Sequence, residues 1–334
     1  MTRQKFWRDT RVMVTGATGL LGAWLIKRLL ELDAFVLAVI RDRVPRSHLY
    51  RSGAYADVTM VHGCLEDYPL VERSLNEYEI DTVFHLGAQT IVGTANRSPL
   101  STFEANIRGT WHVLEACRNH RSVRRILVAS SDKAYGSHPD LPYMEETPLR
   151  GEHPYDVSKS CADLITQSYF KTYGLPVCIT RCGNMYGGGD LNFNRLIPGT
   201  IRAVLRNEVP VVRSDGTFVR DYIYVEDVVT GCLLVLEQME AKQLAGEAFN
   251  FSNETPIGVL DLVNLITGIM GVSVEPRVMD EVTGEIRSQH LSSRKARRVL
   301  GWKPNHDLRA GLEKTIKHYR EFFSVGPTLR EVRK

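Results

Sequence analysis

Val14-Thr15-Gly16-Ala17-Thr18-Gly19-Leu20-Leu21-Gly22 is the stretch on which the fold turns. A β-branched run over 12–15 leads into three glycines spaced three apart, and an apolar helical pattern over 20–32 begins among them. Glycine lets the chain turn tightly at a strand end and approach a pyrophosphate, whose charge the N-terminus of the next helix favours. Glycines in this spacing also serve helix-to-strand packing. Context raises the nucleotide reading: strand, helix and a second strand over 35–40 follow in the order of a dinucleotide-binding βαβ unit.

Outward from this unit, the spacing predicts strands over 58–62, 82–86 and 125–130, and helices over about 70–78 and 103–120. Strands alternating with helices in this way pair in parallel through right-handed crossovers, with helices on both faces of one sheet. The expected fold class is α/β, a doubly wound parallel sheet of the Rossmann type. Past Gly174 the pattern loosens into a strand over 177–181, the run Gly187-Gly188-Gly189, and apolar segments divided by charged loops. These imply a smaller C-terminal α/β lobe. The expected division gives residues 1–184 and about 223–250 to the dinucleotide domain, and about 185–222 and 251–334 to a substrate lobe. Residues 326–334 are polar and expected to fray.

The 334 residues carry 42 Lys plus Arg against 39 Asp plus Glu, and 43% are hydrophobic. That balance excludes a disordered chain, and the length suits one large or two closely packed domains. A net charge of +3 with scattered basic residues asks for neither a nucleic-acid nor a membrane partner. Arg3, Lys5, Arg8 and Arg11 ahead of the apolar stretch 12–26 imitate a secretion signal. The stretch, however, holds three glycines, runs into Lys27-Arg28 and offers no small-residue cleavage site. It is also shorter than the ~18 apolar residues of a membrane span. Cys64, Cys117, Cys161, Cys178, Cys182 and Cys232 form no CxxC pair and read as reduced thiols, mostly in the core, of a cytoplasmic protein. His85, His112 and His290 lack metal-ligand spacing, so no metal is expected.

The end of the second strand selects the dinucleotide. A carboxylate there holds the ribose hydroxyls of NAD, whereas the 2′-phosphate of NADP needs a cation. The position falls on Ile40, followed by Arg41, which favours NADP; Asp42 beside it serves NAD after a small shift.

Tyr155-Asp156-Val157-Ser158-Lys159 sets a phenol and an ammonium four residues apart, on one face of a helix. A lysine beside a tyrosine stabilises phenolate and lowers the phenol pKa, making a usable base near neutral pH. Upstream, the strand over 125–130 runs into Ser131-Asp132-Lys133-Ala134-Tyr135-Gly136, at the carboxyl end where catalytic groups of open α/β sheets gather. On these residues the chain resembles the extended short-chain dehydrogenase/reductase family of nucleotide-sugar enzymes. The resemblance also takes in His85-Leu86-Gly87-Ala88-Gln89, Asn106 and Arg181-Cys182-Gly183-Asn184-Met185-Tyr186-Gly187. It continues through Arg220-Asp221-Tyr222-Ile223-Tyr224-Val225-Glu226-Asp227-Val228 to Lys295-Ala296 and Leu300-Gly301-Trp302, in the expected order over nearly the whole chain.

Within that family the pair after the serine divides epimerases, which carry small or apolar residues there, from 4,6-dehydratases, which carry an acid and a second ionisable group. Asp132-Lys133 resembles the dehydratase form, and Arg181 through Asp190 with Arg195-Leu196-Ile197-Pro198 looks most like the CDP-glucose 4,6-dehydratase group. The resemblance implies transient C4 oxidation of an NDP-hexose, loss of water across C5 and C6, and return of the hydride to C6. Tyr155 is then the base at O4, Ser131 orients that oxygen, Lys159 holds the phenolate, Lys133 removes the C5 proton and Asp132 protonates the leaving hydroxyl. Asp132 and Lys133 are adjacent, so an ion pair or a shared proton is the competing reading.

The resemblance places the dinucleotide on Gly16, Thr18, Gly19, Leu20, Leu21, Gly22, Arg41, Leu65, Leu86, Ala88 and Gln89, together with Tyr155 and Lys159. It places the sugar nucleotide on Gln89, Asn184, Arg195, Arg220 and Arg287, the arginines suiting a pyrophosphate. Two departures stand out. Gly63-Cys64-Leu65-Glu66-Asp67 lacks the first acid that family members use to hold the adenine, and beyond Pro210 the chain follows the common epimerase/dehydratase form, leaving a GDP- or UDP-sugar open. The helices over 103–120 and 155–173 carry the faces that family members pair into a homodimer. A 4-epimerase or reductase, or a noncatalytic dinucleotide-binding protein, are the alternatives.

Overall fold

The computed structural model describes residues 3–281 and 286–324. Seven parallel strands form the central sheet, in the order Ala248–Phe251, β6 (Val177–Cys182), β5 (Arg125–Ala129), β4 (Thr82–His85), β1 (Arg11–Thr15), β2 (Phe35–Ile40) and β3 (Thr59–His62). Every pairing in this sheet is parallel. Residues of β4 and β6 are buried along their whole length, as strands covered on both faces must be. The order reverses between β1 and β4, so the chain leaves a crevice at their carboxyl ends.

The doubly wound Rossmann sheet is thus as expected, with the ends of its six predicted strands within one residue of the expected bounds; the seventh, Ala248–Phe251, was not predicted. The second predicted helix is Tyr68–Glu77, starting earlier than expected because the Asp67 carboxylate accepts from the Leu70 amide at 3.2 Å and Pro69 suits the first turn. The helix expected over 103–120 is interrupted. Pro99–Phe103 and Gly109–Asn119 are joined by a π turn at Glu104–Arg108, which carries the buried Asn106 inward. An N-terminal helix, Arg3–Arg8, was not legible: it is too short for a periodic signal, yet its Trp7 is fully buried and donates to Glu237 at 2.7 Å. The expected tail over 326–334 lies outside the described residues. Among the described residues no helix is long and apolar enough to cross a membrane.

The remaining small sheets stand beside the crevice. Asn184–Tyr186 pairs in parallel with Tyr222–Tyr224, and Val211–Val212 with Arg277–Val278. Val219–Arg220 lies between Ile257–Gly258 and Ser288–Gln289. Val212, Phe218, Val259 and Val263 form a small apolar cluster of their own.

The long helix Pro154–Tyr173 is tied to β6 by a buried ion pair. Arg181 reaches both oxygens of Asp163, Nε to Oδ2 at 2.8 Å and Nη2 to Oδ1 at 2.9 Å, with side chains 3% and 0% exposed. Its Nη1 donates to the Tyr135 hydroxyl at 2.9 Å and the Glu145 carbonyl at 2.8 Å. Breaking a buried pair strands the remaining charge, at a cost of about 3–5 kcal/mol. Asp163→Ala is expected to lose that much in urea unfolding, while Glu77→Ala, which removes the exposed partner of Arg73, changes stability little.

Candidate active site

The crevice is the mouth of a single cleft of about 1240 Å³ that runs from the glycine loop past Ser131 and Tyr155 to the small sheets. Gly16 holds φ +71°, and a Cβ there would stand 2.8 Å from the Gly87 amide nitrogen. A Cβ on Gly22 would meet the Gly16 carbonyl oxygen at 2.2 Å, so the loop closes only with glycine at both positions. Gly19 caps the helix Leu20–Leu30, whose N-terminus has no side-chain cap and no acidic residue in its first turn. Its amides suit an anion, and the space over Gly19 opens into the cleft. Thr18, Leu20, Leu21, Arg41, Leu65, Leu86 and Ala88 line the same cavity. These residues fit a dinucleotide. Arg41 is half exposed and pairs with Asp42, Nε to Oδ2 at 2.7 Å.

A buried relay supports this side. Thr15 Oγ1 accepts from the amides of Leu86 at 3.1 Å and Gly87 at 3.0 Å, so its hydrogen goes to His85 Nδ1 at 2.9 Å. His85 Nε2 then donates to Thr110 Oγ1 at 2.9 Å, and Thr110 to the Asn106 carbonyl at 2.6 Å. Burial, with the Lys159 charge adding to it, lowers the His85 pKa to about 3, consistent with the neutral imidazole. Asn106 binds both the amide and the carbonyl of Gln89 and donates to Ser158, which donates to the Tyr155 carbonyl.

At the end of β5, Ser131 caps the short turn Asp132–Tyr135, its hydroxyl accepting from the Lys133 amide at 3.2 Å and donating to Asp132 Oδ1 at 3.0 Å. Ser131, Asp132, Lys133, Tyr155 and Lys159 all line the cleft. Burial pushes the Asp132 pKa up against the pull of Lys133, the Ser131 hydrogen bond and Arg220. Burial likewise pushes Tyr155 up to about 12, opposed by the Ser131 hydroxyl and the Arg195 charge. The expectation that Lys159 lowers the phenol is corrected here. Its ammonium instead donates to the Ala129 carbonyl at 2.8 Å, and burial dominates both groups.

On the opposite wall, Asn184, Arg195 and Arg220 line the cleft. Asp190 holds Arg195 at 3.1 Å, and Arg220 is buried with Nη1 donating to the carbonyls of Val219 and Arg287. Two expected residues are not brought to it. Gln89 turns its side chain back to accept from the Ile91 amide at 3.0 Å, and the Arg287 side chain is 79% exposed and 3.8 Å from Asp215. Both lie in loops, where spacing to a motif does not set side-chain direction. Gln289 went unnoticed: its Nε2 donates to the Asp132 carbonyl at 2.8 Å across 157 positions, with no local signal to reveal it. Asp163 was legible in principle, since Tyr155, Lys159 and Asp163 repeat every four residues on one helix face.

Residues 12–251 match the NAD dependent epimerase/dehydratase family. The chain belongs to that family. A CDP-glucose 4,6-dehydratase of Salmonella typhimurium is 28% identical over 335 residues, covering 96% of this chain and 93% of the relative. Among solved structures, a UDP-glucose 4-epimerase of Thermotoga maritima with UDP-glucose superimposes with a TM-score of 0.86 at 27% identity, covering 94% of this chain and 100% of that one. A dTDP-glucose 4,6-dehydratase of Streptomyces venezuelae with NAD bound gives 0.85 at 28% identity, covering 93% and 97%.

Burial lowers the Lys159 pKa to about 8, with Asp163 and Cys182 opposing the shift. The unfolded chain keeps this proton up to the ordinary lysine value of 10.5, so between those pH values the unfolded state binds more protons and native stability rises with pH. Lys159→Met has no such proton. Wild type is expected to gain stability relative to this variant from pH 8 to 10.5, and parallel curves of unfolding free energy against pH would refute the buried ammonium.

Proposed function

We propose that this protein is a nucleotide-sugar 4,6-dehydratase that converts an NDP-hexose to the NDP-4-keto-6-deoxyhexose. The observation that carries the reading is the presence of Asp132 and Lys133 in the cleft beside Ser131 and Tyr155, an acid and a base beyond what oxidation at C4 requires. Water leaves only after C4 is a ketone, because the ketone acidifies the C5 proton. When bound, the nicotinamide supplies that reversible oxidation, accepting hydride from C4 and returning it at C6.

The chain's own groups move the protons. Tyr155 takes the O4 proton, with Ser131 orienting the oxygen and the Arg195 charge favouring the phenolate, while Lys159 stands on the same helix face, held to the Ala129 carbonyl. Lys133, half-buried at the cleft, removes the C5 proton and returns one to C5 once the hydride is back at C6. Asp132, which burial drives toward its protonated form, gives its proton to the departing C6 hydroxyl, and the proton drawn from O4 by Tyr155 makes up that loss. Asn184, Arg195 and Arg220 hold the pyrophosphate of the substrate; Arg287 is left out of that set by its exposure.

We infer NAD as the dinucleotide, in place of the NADP expected from Arg41. The family's NAD dependence and the NAD in the Streptomyces venezuelae enzyme support this, and Asp42 already engages the cation that a 2′-phosphate would need. The similarity to the Salmonella enzyme favours a CDP-hexose, with UDP- and GDP-hexoses as the other candidates. Six free thiols, four of them buried, suit a cytoplasmic enzyme. Exposed Trp111, Leu164 and Tyr173 on the two adjoining helices support a homodimer. A 4-epimerase is the second reading, favoured by the Thermotoga structure; in it Asp132 and Lys133 form only an ion pair.

Incubated with CDP-, dTDP-, UDP- and GDP-glucose, the enzyme is expected to form a 4-keto product, read by its alkaline absorbance, with no added cofactor consumed. Deuterium placed at C4 is expected in the new methyl group. Lys133→Met is expected to keep dinucleotide binding and abolish exchange of C5 deuterium with solvent. A C4 epimer with no keto sugar would overturn the dehydratase in favour of the second reading.

A further inference from the structure

The strand Ser288–Gln289 stands between the two halves of the proposed chemistry. On one side it pairs in parallel with Val219–Arg220, with Gln289 in register with Arg220. The carbonyl of Arg287, just before the strand, accepts from the Val219 amide at 3.0 Å and from Arg220 Nη1 at 2.9 Å. On the other side Gln289 Nε2 donates to the Asp132 carbonyl at 2.8 Å. Beyond the strand, the His290 carbonyl accepts from the Tyr143 amide and the Ser292 amide donates back to the Tyr143 carbonyl, each at 2.9 Å. The Tyr143 hydroxyl then donates to the Gly136 carbonyl at 2.9 Å. Residues 287–292 therefore hold the turn Asp132–Tyr135 at its first carbonyl, through Gln289, and at its exit, through Tyr143.

Stability alone does not account for a glutamine here. Gln289 is fully buried, does not line the cleft and leaves its Oε1 without a hydrogen-bond partner among the described residues. A buried amide oxygen left unpaired is unfavourable, and an apolar side chain of the same length avoids it. What only the amide supplies is an N–H on the Asp132 carbonyl. That bond fixes a distance, because one ladder pair and one side chain connect the backbone of Arg220, on the wall assigned to the diphosphate, to the backbone of Asp132. The hexose itself sets how far its C6 hydroxyl lies from the diphosphate on C1. An acid that meets that hydroxyl must stand at a matching distance from the wall.

We propose that Gln289 is a positioning residue for the elimination step: it braces the Asp132 turn against the diphosphate-binding wall without touching substrate. The proposal rests on the dehydratase reading for the role of Asp132, but the brace itself does not. Gln289 gains and loses no proton, so it acts through geometry alone.

The test is Gln289→Met, which keeps the side-chain length and removes the donor, measured on the whole enzyme with its dinucleotide and the NDP-hexose that wild type turns over. The kcat for keto-sugar formation is expected to fall roughly tenfold to a hundredfold. KM should change little, because Arg220 stays in place. C4 oxidation, seen as nicotinamide absorbance, is expected to persist, so reduced dinucleotide accumulates above the wild-type level. The melting temperature should hardly move, since the lost hydrogen bond and the removed unpaired oxygen oppose one another. Gln289→Glu sets an acceptor against the Asp132 carbonyl when ionised and a donor when protonated. Its elimination rate relative to wild type is expected to recover as pH falls, while that of Gln289→Met stays low throughout; this recovery decides if the methionine variant does not fold. An unchanged kcat, an equal loss of oxidation and elimination, or no recovery of Gln289→Glu on acidification overturns the proposal. Wild-type enzyme that yields no keto sugar overturns the dehydratase reading instead. Hydrogen exchange at the amides of residues 133–136 then decides the brace: faster exchange in Gln289→Met upholds it, and equal exchange overturns it.

Discussion

The Asp163–Arg181 pair is the constraint on which the geometry of the site depends. Tyr155, Lys159 and Asp163 share one face of a single helix, so anchoring Asp163 to β6 also fixes where the phenol and the ammonium stand over the sheet. The same arginine binds the Tyr135 hydroxyl and the Glu145 carbonyl, and Tyr135 donates to Asn250 at 2.7 Å on the strand beside β6. One guanidinium thus ties the helix, the segment after Asp132 and the sheet together. A lysine could not do this, because the arrangement uses both nitrogens of a planar fork on Asp163 and a third on the loop.

Burial is the force that sets the chemistry on this frame. It acts on three groups with different signs of charge and favours the neutral form of each: Asp132 and Tyr155 are pushed up, Lys159 down. A neutral acid is useful as it stands. A neutral phenol is not yet a base, and the charge that opposes its upward shift is that of Arg195. In the proposed reaction the cleft therefore holds its acid ready and makes its base conditional on that guanidinium.

How much of this was legible in the sequence follows from the range of the forces involved. The βαβ units were legible because period-2 and period-3.6 patterns are local, and the glycine loop because Gly16 and Gly22 answer steric contacts within the loop and with the end of β4. Ser131, Asp132, Lys133, Tyr155 and Lys159 were found by spacing, and the fold brings all five to one cleft. Illegible were the features made by distant partners. Asn106 turns inward through a π turn to reach Gln89 and Ser158, so the predicted continuous helix breaks there. Gln89 and Arg287 sit in loops whose side-chain direction is settled by Ile91 and Asp215. The fate of Arg41 depended on a neighbour already weighed, Asp42, but not on its geometry.

The glycine run after Asn184 shows how packing far from the chemistry reaches it. A Cβ on Gly187 would strike Val225 at 2.5 Å, one on Gly188 the His318 ring at 2.2 Å, and one on Gly189, at φ +93°, the His48 side chain at 2.9 Å. Three glycines in a row therefore admit three different elements, including the C-terminal helix Leu308–Ser324 and the segment that follows β2. Trp24 of the helix Leu20–Leu30 stacks on His48 at 4.4 Å and donates to the Gly188 carbonyl at 2.8 Å, closing the cluster on the dinucleotide side. The next residue is Asp190, whose carbonyl accepts from Tyr319 at 2.6 Å and whose carboxylate holds Arg195. Arg195 is one of the charges acting on Tyr155. Close backbone packing of this run against the helices beside the Rossmann sheet thus carries a guanidinium into the electrostatic field of the phenol. A side chain added anywhere along that run would force those elements apart and move that charge with them.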